Sequence, residues 1–229
     1  MQPFIFILFF CFLVFLFCLH LFSKDDFVLL RKNISMERVF NLAFLTALSG
    51  LFFARFFYVL FHFHSSFLNP LVFFLFPYFP GLSLPGGVAG GVVFFFFWAS
   101  YRKLPQARLF DIFSLSFLCA LTVGFLINFF LAQKIVLSLR IAVPVIYLLL
   151  FIALVRIFLL VKLKDASIGI LFLLVFSFLS FAVARIGAGN LLFLNGEDFI
   201  LIEMFLLSLV FLVKQENLLA KGKKPKFRG

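Results

Sequence analysis

Long apolar runs alternate with short polar breaks along almost the whole chain. Taking the breaks as boundaries leaves apolar stretches near 3–22, 39–62, 85–100, 109–131, 142–161, 168–186 and 199–213. A helix rises about 1.5 Å per residue, so about 20 residues cross a hydrocarbon core about 30 Å thick. Lipid offers no hydrogen-bond partner to the backbone, so each crossing must be helical. The pattern therefore predicts an all-α integral membrane protein with about seven transmembrane helices. The run 63–84 is also apolar, but Asn69-Pro70, Pro77 and Pro80-Gly81 interrupt it. It is predicted to lie on the membrane surface or to re-enter from one side. The first run has no basic segment before it and no small-residue cleavage site after it, which predicts a first membrane helix rather than a removed signal.

The polar breaks carry the charge, and their signs orient the chain. With the N-terminus outside, fifteen of the 20 Lys and Arg residues fall on the cytoplasmic side, from Lys24 in the first break to Arg228 in the tail. Lys134, Arg140 and Arg185 fall outside, and Arg55 and Arg156 fall within spans. Basic residues accumulate on the cytoplasmic side of short loops, so an outside N-terminus and a cytoplasmic C-terminus are predicted. Residues 1–213 are expected to form one polytopic transmembrane domain. Residues 214–229 form a basic tail suited to anionic inner-leaflet lipid.

Composition agrees with lipid as the solvent: 65% of residues are hydrophobic and 13% charged, and mean hydropathy is +1.23. A net charge of +11 would suggest nucleic acid in a soluble protein. Here the charges lie between spans, which removes that class. Cys11, Cys18 and Cys119 all sit in apolar runs without metal or dithiol spacing, and are expected to pack as small hydrophobes. No metal site is predicted.

Polar groups inside spans are the candidates for chemistry, because a charge at a span centre costs about 2.5–3.5 kcal/mol on insertion scales. Arg156 lies close enough to the end of its span to snorkel. Arg55 does not. Arg55, Tyr58 and His62 follow an i, i+3, i+7 spacing, which puts them on one helical face running toward the outer surface. That face either lines a cavity or, for Tyr58 and His62, belongs to an interfacial aromatic belt. His64, the turn GLSLPGGVAGG at 81–91, Asn128, Arg185, Glu197-Asp198 and Glu203 are all predicted at the same depth. They form either a ligand site or a hydrogen-bond network between helices. Gly86 and Gly87 permit close approach of another helix, or of an anionic head group to the amides that open the next helix.

These residues resemble the prolipoprotein diacylglyceryl transferases, bacterial membrane enzymes that move a diacylglyceryl group from phosphatidylglycerol to the thiol of a lipobox cysteine. The resemblance runs from about residue 45 to 131. It rests on GLFFARFFYVLF (50–61), Asn69-Pro70, GLSLPGGVAGG, the loop YRKLPQARLFD ending at Asp111, and GFLINF (124–129), and continues more weakly through Pro144 to Tyr147 and Gly169 to Arg185. It implies a seven-span fold, with phosphatidylglycerol, a prolipoprotein peptide and membrane lipids as partners and no cofactor. Arg55, Tyr58, Gly86, Gly87, Asn128 and Arg185 are then the lipid- and phosphate-binding candidates. The turn and the signature both depart from the family. Its turn carries a His before the Gly-Gly pair, where this chain has Pro85. Its signature G-R-x-G-N-F-x-N-G-E meets Gly124, Asn128 and Phe129, but this chain has Phe125 at the Arg and matches neither the second Gly, at Ile127, nor the Glu, at Gln133. The family His is expected to take the thiol proton, so His62 and His64 are the candidates to replace it. The resemblance is compatible with a working transferase, or with a noncatalytic lipid- or lipoprotein-binding protein of the same fold.

Overall fold

The computed structural model describes residues 3–63, 81–131, 137–160, 163–188 and 195–216. These form eight helices in order: α1 (Pro3–Lys24), α2 (Phe27–Arg31), α3 (Met36–Phe61), α4 (Leu84–Tyr101), α5 (Gln106–Leu131), α6 (Leu137–Leu160), α7 (Ser167–Ala188) and α8 (Gly196–Glu216). Six of them, α1 and α3 to α7, are long and apolar enough to cross a membrane. The molecule is an all-α, multi-pass membrane protein. The α8 helix has 21 residues, but Glu197, Asp198, Glu203, Lys214 and Glu216 make it more charged than the other six. The interrupted run from 64 to 80, with His64, lies outside the described residues, as does the tail from 217 to 229.

Helix ends reach past the apolar runs, because a helix continues through the interface until a cap stops it. Asp26 opens the short α2 by accepting hydrogen bonds from the amides of Val28 at 3.1 Å and Leu29 at 3.2 Å. Ser83 caps α4 in the same way, accepting from the Gly86 amide at 3.3 Å. The start of α7 is capped from a different helix. Asp111 of α5 accepts from the amides of Ala166 at 2.8 Å and Gly169 at 2.7 Å.

The α5 helix is the central one, with 56% of its apolar window buried. It touches α1, α6 and α7, while α3 pairs with α4 and α7 with α8. Between apolar helices in lipid, close packing and hydrogen bonds replace the hydrophobic drive. The α3–α4 contact shows how. Gly50 faces Gly87 and Gly91, and a Cβ added to Gly86 would stand 2.6 Å from Cβ of Phe57. The glycines of α4 thus bring two backbones together. One cluster of buried side chains joins α1 to α5 around Phe95, Phe113 and Leu19. A second joins α4 to α8 around Tyr147, Leu154 and Phe176.

Because successive long helices reverse direction, the bundle has two distinct ends. One end gathers Lys24, Arg31, Lys32, Arg102, Lys103, Arg108, Lys164 and Lys214. There Arg108 bonds Asp26 at 2.7 Å and stacks over Phe158 at 4.3 Å. Lys164 donates to the Gln215 carbonyl at 2.6 Å, which ties the end of α8 to the start of α7. The opposite end holds the close of α3, α5 and α7 and the start of α4, α6 and α8. Among the described residues it is poorer in cations, and it contains a cavity.

Candidate functional site

The cavity measures about 250 Å³ and is lined by Leu84, Pro85, Phe125, Val143, Tyr147, Ser180, Val183, Ala184, Arg185, Asn195, Glu197, Asp198 and Leu201. Five helices contribute, and each supplies the residues nearest this end. The wall is apolar on the α4 and α5 side. The Phe125 ring stacks on Tyr147 with centroids 4.9 Å apart, and Pro85 is buried in the first turn of α4.

The polar groups come from α6, α7 and the opening of α8. Tyr147 Oη and Ser180 Oγ share a hydrogen bond at 3.2 Å. Arg185 Nη2 donates to Asp198 Oδ2 at 2.5 Å, with both side chains almost fully buried. The same Asp198 oxygen accepts from the Asn195 amide at 2.6 Å, so one carboxylate both caps α8 and holds the guanidinium. This is what makes the charge tolerable at depth: a buried cation needs a paired anion with further hydrogen bonds. The Arg185 guanidinium also lies over the Phe181 ring at 5.9 Å.

The residues singled out in the sequence are distributed unequally around this site. Arg185 lines the cavity. Arg55 instead donates from Nη1 to the Gly81 carbonyl at 2.8 Å, and the Ser83 amide bonds the Ala54 carbonyl at 2.9 Å. These two bonds fasten the strand of chain that leads into α4, and so position Leu84 and Pro85. Tyr58 lies against Gly81, which has φ +153° and whose missing Cβ makes room for the phenol ring. His62 caps α3 and stacks on Tyr58 at 4.7 Å. It is exposed and does not line the cavity. The i, i+3, i+7 face is therefore real as a stack, and it grips the turn before α4.

Gly86 and Gly87 sit in the α3–α4 contact, with their amides donating to Ser83 Oγ and Ser83 O. Asn128 is exposed on α5. His64 is among the residues not described. Tyr147 and Ser180 carried no signal as site residues, since a Tyr or a Ser in an apolar span resembles an interfacial anchor or a filler. Glu197 and Asp198 were visible as charges beside a span; the contact with Arg185 was not.

The sequence model of the prolipoprotein diacylglyceryl transferases matches residues 4–136. The match covers more than half of the chain. The chain belongs to that family. No match was found among curated proteins. The matched stretch runs from α1 past the close of α5, and contributes Leu84, Pro85 and Phe125 to the cavity. The remaining wall, with Arg185, Tyr147, Ser180, Glu197 and Asp198, comes from residues after it. Family membership implies lipid and lipoprotein substrates in a membrane environment, and a transferase-like class of activity.

Proposed function

We propose that the chain is a prolipoprotein diacylglyceryl transferase of the bacterial cytoplasmic membrane, which moves diacylglyceryl from phosphatidylglycerol to the thiol of a lipobox cysteine. The observation that carries this is the cavity itself. A buried Arg185, a hydroxyl pair and a carboxylate face an apolar wall at one end of a membrane bundle, which suits a phosphate head group attached to acyl chains. Arg55 supports the site by holding Gly81, and through it Pro85. With the cation-rich end in the cytoplasm, α8 crosses as the seventh span and the cavity opens toward the outer leaflet. That placement suits a substrate whose lipobox has emerged on the outer side.

A second reading has its own observation. Pro85 and Phe125 line the cavity where the family resemblance calls for His and Arg, so neither position can accept a proton or grip phosphate. A lipid- or lipoprotein-binding protein without turnover would show this wall. Expression with a lipobox peptide, followed by mass spectrometry, separates the two. A diacylglyceryl mass on the cysteine is expected. Its absence, with phosphatidylglycerol still retained by the purified protein, would leave the binding role standing instead.

A further inference from the structure

The cavity contains two carboxyl groups in different circumstances. Asp198 is committed to Arg185 and to the Asn195 amide. Glu197, one residue earlier on the same turn of α8, also lines the cavity and accepts no hydrogen bond among the described residues. It shares the wall with the Arg185 guanidinium and with the Tyr147–Ser180 hydroxyl pair. A half-buried carboxylate on the lining of this cavity is placed to accept a hydrogen bond from a ligand that enters.

We propose that Glu197 accepts the proton of the attacking thiol, doing at α8 what an imidazole at position 85 cannot do in this chain. This rests on the transferase reading above. A thiol with a pKa near 8.5 is mostly protonated at neutral pH, and only its thiolate attacks well. In the step, the S–H proton passes to the Glu197 carboxylate while the sulfur pair forms the S–C bond at the glyceryl methylene carbon. The C–O bond to phosphate breaks, its electron pair stays on the phosphate oxygen, and glycerol phosphate departs as a dianion beside Arg185. The proton then returns from Glu197 to that leaving group, restoring the carboxylate. No other reactant is needed. Arg185 contributes by neutralising charge that grows on the phosphate, and Asp198 keeps it aimed.

The test uses the full chain in nanodiscs containing phosphatidylglycerol, with a synthetic lipobox peptide. Transfer is read by mass spectrometry from about pH 6.5 to 9.5, and retained phosphatidylglycerol by native mass spectrometry. Glu197→Gln is expected to lower transfer at least about a hundredfold near pH 7, the usual scale for a lost general base, while lipid retention stays unchanged. Its deficit should shrink by about tenfold per pH unit up to the thiol pKa, because hydroxide then does the deprotonation. Glu197→Asp should keep part of the activity. Wild-type transfer by Glu197→Gln at pH 7, a deficit that is constant with pH, or loss of bound lipid would each overturn the proposal. If the unmodified protein makes no adduct, the transferase reading itself fails and takes this role with it. A failure confined to Glu197 leaves an active wild type.

Discussion

Arg185 of α7 and Asp198 of α8 meet at 2.5 Å, and each is at least 96% buried, with side-chain exposures of 4% and 2%. The pair joins two helices at the rim of the cavity and sets the direction of the Arg185 guanidinium that lines it. Removing the carboxylate takes the paired anion away from a buried guanidinium. Asp198→Ala should therefore lower stability by about 3–5 kcal/mol, seen as an early thermal transition of the protein in detergent. A change below about 1 kcal/mol would mean that water or lipid already serves the cation.

The glycines of α4 make a paired prediction. A Cβ at Gly90 would overlap the Phe53 ring, whereas one at Gly91 meets nothing closer than 3.8 Å. Gly90→Ala should push α3 and α4 apart at a cost of about 1–3 kcal/mol. Gly91→Ala should be neutral, or gain up to about 1 kcal/mol from helix propensity. Thermal unfolding of the two variants side by side decides it, and equal behaviour would contradict the packing.

At the other end of the bundle, both Asp111 oxygens accept an amide from the start of α7. Asparagine has one acceptor and must turn its NH₂ against the other amide. Asp111→Asn should cost about 1–3 kcal/mol, and it should loosen α7 first. Hydrogen exchange at Ala166 and Gly169 would report that loosening. Unaltered protection there would show that the cap is dispensable.

Orientation can be checked by chemistry from one side. Cysteine at Asn195, beside the cavity, should react with a membrane-impermeant maleimide in intact cells. Cysteine at Arg102, in the cation-rich loop, should react only after permeabilisation. The reverse pattern would turn the molecule over and place the cavity in the cytoplasm.

The helical crossings were legible because their cause is one-dimensional: a bilayer needs about 20 apolar residues in a row, and the chain repeats that length. Arg55 could also be picked out, because a charge in a span is costly wherever it points. Its role could not. The same spacing that suggested a cavity lining serves a stack of Tyr58 and His62 against Gly81, and only the position of the turn before α4 shows which. Asn128 shows the converse: it lies near the close of α5, at the cavity's end of the bundle, yet it is exposed and does not line the cavity.

By itself, then, the sequence determined which segments are long and apolar enough to cross a membrane, which breaks between them carry the cations, and which family residues 4–136 match. Hydropathy and charge act on each segment separately, so they can be summed along the chain. Tertiary structure decided which polar groups meet. Arg185, Glu197, Tyr147 and Ser180 lie on three helices, and their convergence depends on how each helix is rotated about its axis. That rotation is set by close packing against α5 and by the Arg185–Asp198 bond, and packing of this kind exists only once the helices are together.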